Sequence, residues 1–154
     1  MSFLKEKYRL SGAFSKCSVR DGVLTKTYVA EKLRSSFKIE IECLKRLKGH
    51  PYFPQIIDYD SKDMSIRMTY VGVSLDKSDY RTTSFDYDTY KANLEYIADT
   101  LIVNNIYYYD IQRRNICFDG KSLYLIDFNH KCQVDGKSIN REDFLKTIKL
   151  KLIK

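Results

Sequence analysis

Tryptophan is absent from this 154-residue chain, and proline and glycine are scarce, at two and six residues. So few breakers leave little room for long irregular linkers, and the chain reads as one domain, or two small lobes sharing a cleft. Cysteine is limited to Cys17, Cys43, Cys117 and Cys132. No two of them make a Cys-x-x-Cys pair, and His50 and His130 stand at no zinc-ligand spacing from them. That excludes a recognisable zinc motif and suits free or buried thiols in a reducing compartment. No stretch approaches the ~20 apolar residues that a membrane span needs. The opening MSFLKEKYRL holds no apolar core of signal-peptide length. The expectation is a soluble, cytoplasmic protein with no membrane span.

What is present is a foldable mixture of 44% hydrophobic and 31% charged residues, with thirteen Tyr and eight Phe supplying much of the apolar mass. Disorder needs lower hydrophobicity and fewer aromatics. The formal charge is +7, with 27 Lys and Arg against 20 Asp and Glu. A positive surface favours anionic partners such as nucleotide phosphates, but it serves solubility equally well. A nucleic-acid binder is not expected, because no aromatic-basic recognition motif accompanies the charge.

Along the chain, Asp21-Gly22 is a hairpin signal joining strands Lys16–Arg20 and Val23–Val29. From Ser35 to Lys48 the period becomes helical, with Phe37, Ile41, Leu44 and Leu47 on one stripe and Ser35 or Ser36 as the cap. Gly49 and Pro51 stop it. Gln55–Asp60 and Ser65–Val71 read as strands, 74–84 as a polar connector, and Asp86–Asn104 as a second helix. Short β-prone runs follow at Ile106–Asp110, Asn115–Phe118 and Ser122–Ile126, then a basic helix over Arg141–Lys154. The order predicts an α+β protein with its chemistry near a cleft.

The chemistry concentrates in Asp110-Ile111-Gln112-Arg113-Arg114-Asn115 and Leu125-Ile126-Asp127-Phe128-Asn129. Two carboxylates and an amide stand at the ends of β-prone runs. Hard cations such as Mg²⁺ take oxygen ligands, commonly one or two carboxylates completed by phosphates. Any one Asp could equally cap a turn; three oxygen-bearing residues at this spacing are harder to explain so.

Asp-x-x-x-x-Asn followed by a hydrophobic hairpin and Asp-Phe resembles the catalytic loop and metal motif of the protein-kinase-like superfamily. The resemblance implies that Asp110 orients or deprotonates an attacking hydroxyl, while Asn115 and Asp127 hold Mg²⁺, or Mn²⁺, on the phosphates of ATP. It further implies that Lys26, in Val23-Leu24-Thr25-Lys26, pairs with phosphate and with Glu40 on the following helix. Glu42 competes for that role but lies about 200° away on the helical wheel. Ser11-Gly12-Ala13-Phe14-Ser15 resembles a glycine-rich loop reduced to Gly12. Met68-Thr69-Tyr70-Val71 resembles the hinge that receives adenine, with Met68 as gatekeeper.

The implied fold is a small β-rich N-lobe with one helix (residues 1–73) and a truncated C-lobe (74–154). The pattern departs from the family in four places. Tyr108-Tyr109 replaces His-Arg, Gln112 replaces a lysine for which Arg113 or Arg114 is the stand-in, and Asn129 replaces a glycine. The Ala-Pro-Glu segment and later helices are missing, as in the miniature kinases of bacterial effectors and viruses, for which a host-cell cytoplasm would be the setting. The expected activity is ATP- and Mg²⁺-dependent phosphoryl transfer to Ser/Thr of a protein partner or of the chain itself, the expected partner being a protein acceptor or an activating protein. The alternative is a pseudokinase-like nucleotide-binding interaction module.

Overall fold

The computed structural model describes residues 15–129 and 132–154. Its first half is a four-stranded antiparallel sheet built from β1 (Ser15–Arg20), β2 (Val23–Tyr28), β3 (Ile56–Asp60) and β4 (Ser65–Thr69), in spatial order β1-β2-β4-β3. The β1–β2 turn is made by Asp21 and Gly22, both at positive φ (51° and 78°). That pair matches the right-handed twist of the strands it joins. Residues 24, 26 and 28 share one face of β2, since side chains alternate along a strand. On that face Lys26 and Tyr28 are buried and Leu24 is half-buried.

Helix α1 (Arg34–Arg46) follows, burying Phe37, Glu40, Ile41 and Leu44 at helical spacing. Its start differs from expectation. Neither Ser35 nor Ser36 caps it: the cap position is Leu33, without a side-chain hydrogen bond, after a 3-10 turn over Glu31–Leu33. Burial of Leu33 draws the start one turn back, and Ser36 is left buried within the helix. At the far end, the Gln55 side chain closes the loop over residues 49–55. It accepts from Gly49 N–H at 2.7 Å and donates to His50 O at 3.0 Å.

The second half combines two helices with five short strands among the described residues. Helix α2 (Lys91–Val103) is preceded by a 3-10 turn at Tyr87–Tyr90, where Asp86 caps by accepting from Thr89 N–H. One continuous helix from Asp86 was expected; the tighter first turn is the correction. The stretch read as a polar connector, 74–84, overlaps at its first residue with β5 (Val73–Ser74), which joins β7 (Ile116–Phe118) and β8 (Leu123–Leu125) in the order β5-β7-β8. Strand β6 (Ile106–Tyr108) pairs with β9 (Cys132–Val134), an element too short to announce itself in the sequence. Helix α3 (Arg141–Leu152) is capped by Asn140, with Glu142 and Asp143 in its first turn and Lys149 and Lys151 in its last. Those charges complement the helix dipole.

One apolar cluster runs through both halves, from Tyr28 and Phe37 to Phe128, Ile148 and Leu152. Arg46 adds a polar tie, donating to Asn104 O at 3.0 Å and pairing with Asp135 at 2.7 Å. Between the halves runs the 69–73 segment. Its Gly72 adopts φ +112°, and a Cβ there would lie 2.4 Å from Phe118 O. Only glycine lets the two backbones approach this closely.

Candidate active site

A cleft of about 460 Å³ opens beneath the β1–β2 hairpin. Cys17, Val19 and Leu24 come to it from the hairpin, Met68 from β4, and Cys117 and Ile126 from the second half. Thr69, Tyr70 and Val71 form one end, and Lys26, Glu40 and Asp127 form the other. The walls are largely apolar; buried charge gathers at the Lys26 end, and Lys77 and Asp79 also belong to the lining. This is a shape for a flat ring with an anionic tail.

At the charged end, the Lys26 ammonium lies 2.9 Å from Glu40 Oε1 and 3.0 Å from Asp127 Oδ1. The Lys26 and Glu40 side chains are 5% and 2% exposed, Asp127 23%. Asp127 therefore retains a face towards the cleft. Glu40 has further partners: Tyr28 OH donates to Oε1 at 2.5 Å and Phe128 N–H to Oε2 at 3.3 Å. Glu42 is exposed and pairs with Arg46 instead. Burial alone would push the Lys26 ammonium down, but the Asp127 and Glu40 carboxylates outweigh it and hold the group well above its ordinary value. Burial and Glu40 together drive the Tyr28 hydroxyl upward too.

Both shifts favour the protonated form in the folded chain. Their stabilisation is complete below the unfolded values, about 10 for Tyr and 10.4 for Lys, and is lost as pH rises through the raised folded ones. Alkaline titration should accordingly find stability falling only above about pH 10. Circular dichroism in urea across pH 8–12 measures it, and a Tyr28→Phe variant should shift the onset.

Asp127 sits at φ +67°, a left-handed conformation that is uncommon for a side chain other than glycine. The strain persists because its neighbours are fixed. Tyr108 OH donates to Ile126 O at 2.6 Å, Ile126 N–H to Asn115 O at 3.0 Å, and the Phe128 ring is wholly buried between Phe53 and Tyr108.

Asp110 and Asn115 make a second group, joined to the first by that Ile126–Asn115 bond and not lining the cleft wall itself. Asn115 Nδ2 donates to Asp110 O at 2.9 Å and to its Oδ2 at 3.2 Å. These acceptors fix the amide orientation, leaving Asn115 Oδ1 buried with no hydrogen-bond partner among the described residues. An unpaired hard oxygen near a carboxylate suits Mg²⁺. No three His, Cys, Asp or Glu side chains gather into a metal cage among the described residues, so phosphate oxygens and water would have to complete the ion's shell. Gly12 and its loop lie outside the described residues.

No family model and no curated protein matches this sequence. Solved structures do match. The kinase PK-1 of Cydia pomonella granulovirus aligns with a TM-score of 0.63 at 16% identity, over 86% of this chain and 53% of that one. The fold is kinase-like. At that identity the likeness speaks for backbone arrangement alone, and the chain spans about half the length of the kinase it matches.

Within this kinase-like fold two residues matter that the sequence did not assign, Tyr28 and Tyr108, and a third, Arg113, lies elsewhere than expected. Tyr28 is two positions from Lys26 and thus on its face of β2, a signal that strand periodicity offered. Tyr108 braces Ile126 through its hydroxyl, and nothing in its sequence context announces this. Arg113 is turned away from the cleft, its guanidinium donating to Lys151 O at 2.8 Å, Thr83 O at 2.9 Å and Tyr80 O at 3.0 Å. Of the two arginines considered as a replacement for the missing lysine, only Arg114 remains near the chemistry, 3.4 Å from Asp110 Oδ2.

Proposed function

We propose that this chain is an ATP- and Mg²⁺-dependent phosphotransferase that acts on an alcohol group, a Ser or Thr of a protein partner or of the chain itself. The observation that carries the reading is the buried Lys26 ammonium held between Glu40 and Asp127 at the inner end of an apolar cleft. Glu40 and Tyr28 fix that ammonium in position before any substrate arrives, which is the preorganisation that electrostatic catalysis requires.

Leu24, Val19, Met68 and Ile126 enclose the base, and the 69–71 backbone faces its edge. The Tyr70 amide already donates to Gly22 O, whereas no described residue accepts from the Val71 amide, which makes Val71 the donor for the ring. Lys26 meets the phosphates. Asp127 and Asn115 Oδ1 are the oxygen donors for magnesium or manganese. The bound ion supplies neutralisation of the charge developing on the phosphates. Asp110, steadied by Asn115 and Arg114, orients the acceptor hydroxyl and takes its proton.

One observation favours a nucleotide-binding module without transfer: Arg113 is committed to backbone carbonyls, leaving the position of the missing lysine uncompensated from that side. Incubation with labelled ATP and Mg²⁺ separates the two readings. The wild-type chain should transfer phosphate, and Asp110→Asn should lower the rate about 10²-fold or more while ATP still raises the melting temperature. Thermal stabilisation with no transfer by the wild type, with or without protein acceptors, would give the module reading the case.

A further inference from the structure

Behind the 69–73 segment lies a second hollow, of about 600 Å³, which phosphoryl transfer does not use. Tyr52, Tyr70, Tyr80, Phe118 and Tyr124 line it, with Asp119 among them. All five residues are partly exposed, and Tyr52, Tyr80 and Phe118 also pack against the core on one side. The rings meet one another edge to face: Tyr52 with Tyr124 at 6.3 Å and Tyr80 with Phe118 at 5.5 Å. In each such pair the edge of one ring covers a face of the other, while the edge-on ring keeps its own faces, which carry negative potential, beside the contact.

The charge of the lining has the opposite sign to that of the chain. The protein carries a formal +7, yet no Lys or Arg lines this hollow among the described residues, and its one carboxylate is Asp119. Asp119 is built in place. Its Oδ1 accepts from the amides of Lys121 and Ser122, both at 2.8 Å, and its Oδ2 from Tyr124 OH at 3.1 Å. Burial would raise this carboxyl, but those hydrogen bonds outweigh it and keep the group below the usual carboxylate range, hence ionised. His50, also in the lining, has its Nδ1 engaged with Tyr96 OH at 3.1 Å.

An anion finds no donor cluster here, whereas a large, weakly hydrated cation finds ring faces and a fixed negative charge. We propose that this hollow is a binding site for an organic cation of the alkylated-ammonium class. It shares Thr69, Tyr70, Val71, Gly72 and Val73 with the front cleft, so one strip of backbone separates an anion-accepting side from a cation-accepting side.

Benzyltrimethylammonium and its uncharged isostere neopentylbenzene are the probes, titrated into the full chain and followed by the aromatic NMR signals of Tyr52, Tyr80 and Tyr124. The ammonium should shift those signals saturably and bind about tenfold more tightly than the isostere. Asp119→Asn, which keeps an oxygen for the turn amides, and Tyr80→Leu are read at unchanged melting temperature. Weakening of about threefold or more in either variant supports the site. No saturable shift, equal binding of the isostere, or indifference to both substitutions would overturn it. None of these readouts depends on nucleotide or on transfer, so the outcome is independent of the proposed activity.

Discussion

Lys26→Met should lower phosphoryl transfer by about 10²–10³-fold while the apolar cleft still takes up the base. The magnitude is that of removing one preorganised charge donor from a developing transition state. Lys26 is also the hub of a buried cluster, so the variant must be shown to fold. Methionine fills much of the volume of the lysine stem, and Glu40 keeps the Tyr28 hydroxyl and the Phe128 amide as donors. Glu40 and Asp127 then face each other without a cation, which favours protonation of one of them and a moderate loss of stability. Initial rates with labelled ATP, read beside binding of a fluorescent ATP analogue, test the prediction. A rate within about threefold of wild type would mean that Lys26 does not meet the transferring phosphate.

Glu40→Ala should instead act first on stability, costing about 3–5 kcal/mol. Its removal leaves the Lys26 ammonium buried with Asp127 alone and takes the acceptor away from both Tyr28 OH and Phe128 N–H. Breaking a buried pair costs more than never having had one, because the surviving charge stays desolvated. For a chain of this size the cost corresponds to a fall in melting temperature of roughly 6–20 °C. Glu40→Gln, which retains an oxygen acceptor, should lie between the two. Urea denaturation gives the free energies directly. A loss under about 1 kcal/mol would show that the three charges are not closed together in solution.

The fold was legible in the sequence where local chemistry and tertiary demand agree. Asp21-Gly22 dictated the first hairpin because few other pairs accept two successive positive φ values, and the Phe37-Ile41-Leu44 stripe dictated the face of α1. Where the core outvotes local preference the reading slipped. Ser35 and Ser36 are better caps than Leu33, but Leu33 had to be buried. Strand β9 has three residues and owes its existence to pairing with β6, which no local window can see.

The candidate site divides in the same way. The resemblance carried by the Asp110, Asn115 and Asp127 spacing implied Lys26 and Glu40 as well, and the fold holds the Lys26 ammonium within 3.0 Å of both Glu40 and Asp127. The same spacing pointed to Asp110 and Asn115, which the fold joins by hydrogen bonds. It could not tell that Arg113 spends its guanidinium on main-chain carbonyls while Arg114 stays beside Asp110, since adjacent residues of one type look alike until a loop takes its path.

The seat of Phe128 has a bearing on chemical probes. Swinging Asp127 outward would oblige that ring to leave a slot shared with Phe53 and Tyr108, and exposing a side chain of this kind costs about 1.5–3 kcal/mol before any broken hydrogen bond is counted. Such an outward conformer should make up no more than a few per cent of molecules at rest. Compounds that need the vacated slot would spend much of their affinity opening it, whereas compounds shaped to the space under the hairpin would meet it ready-made.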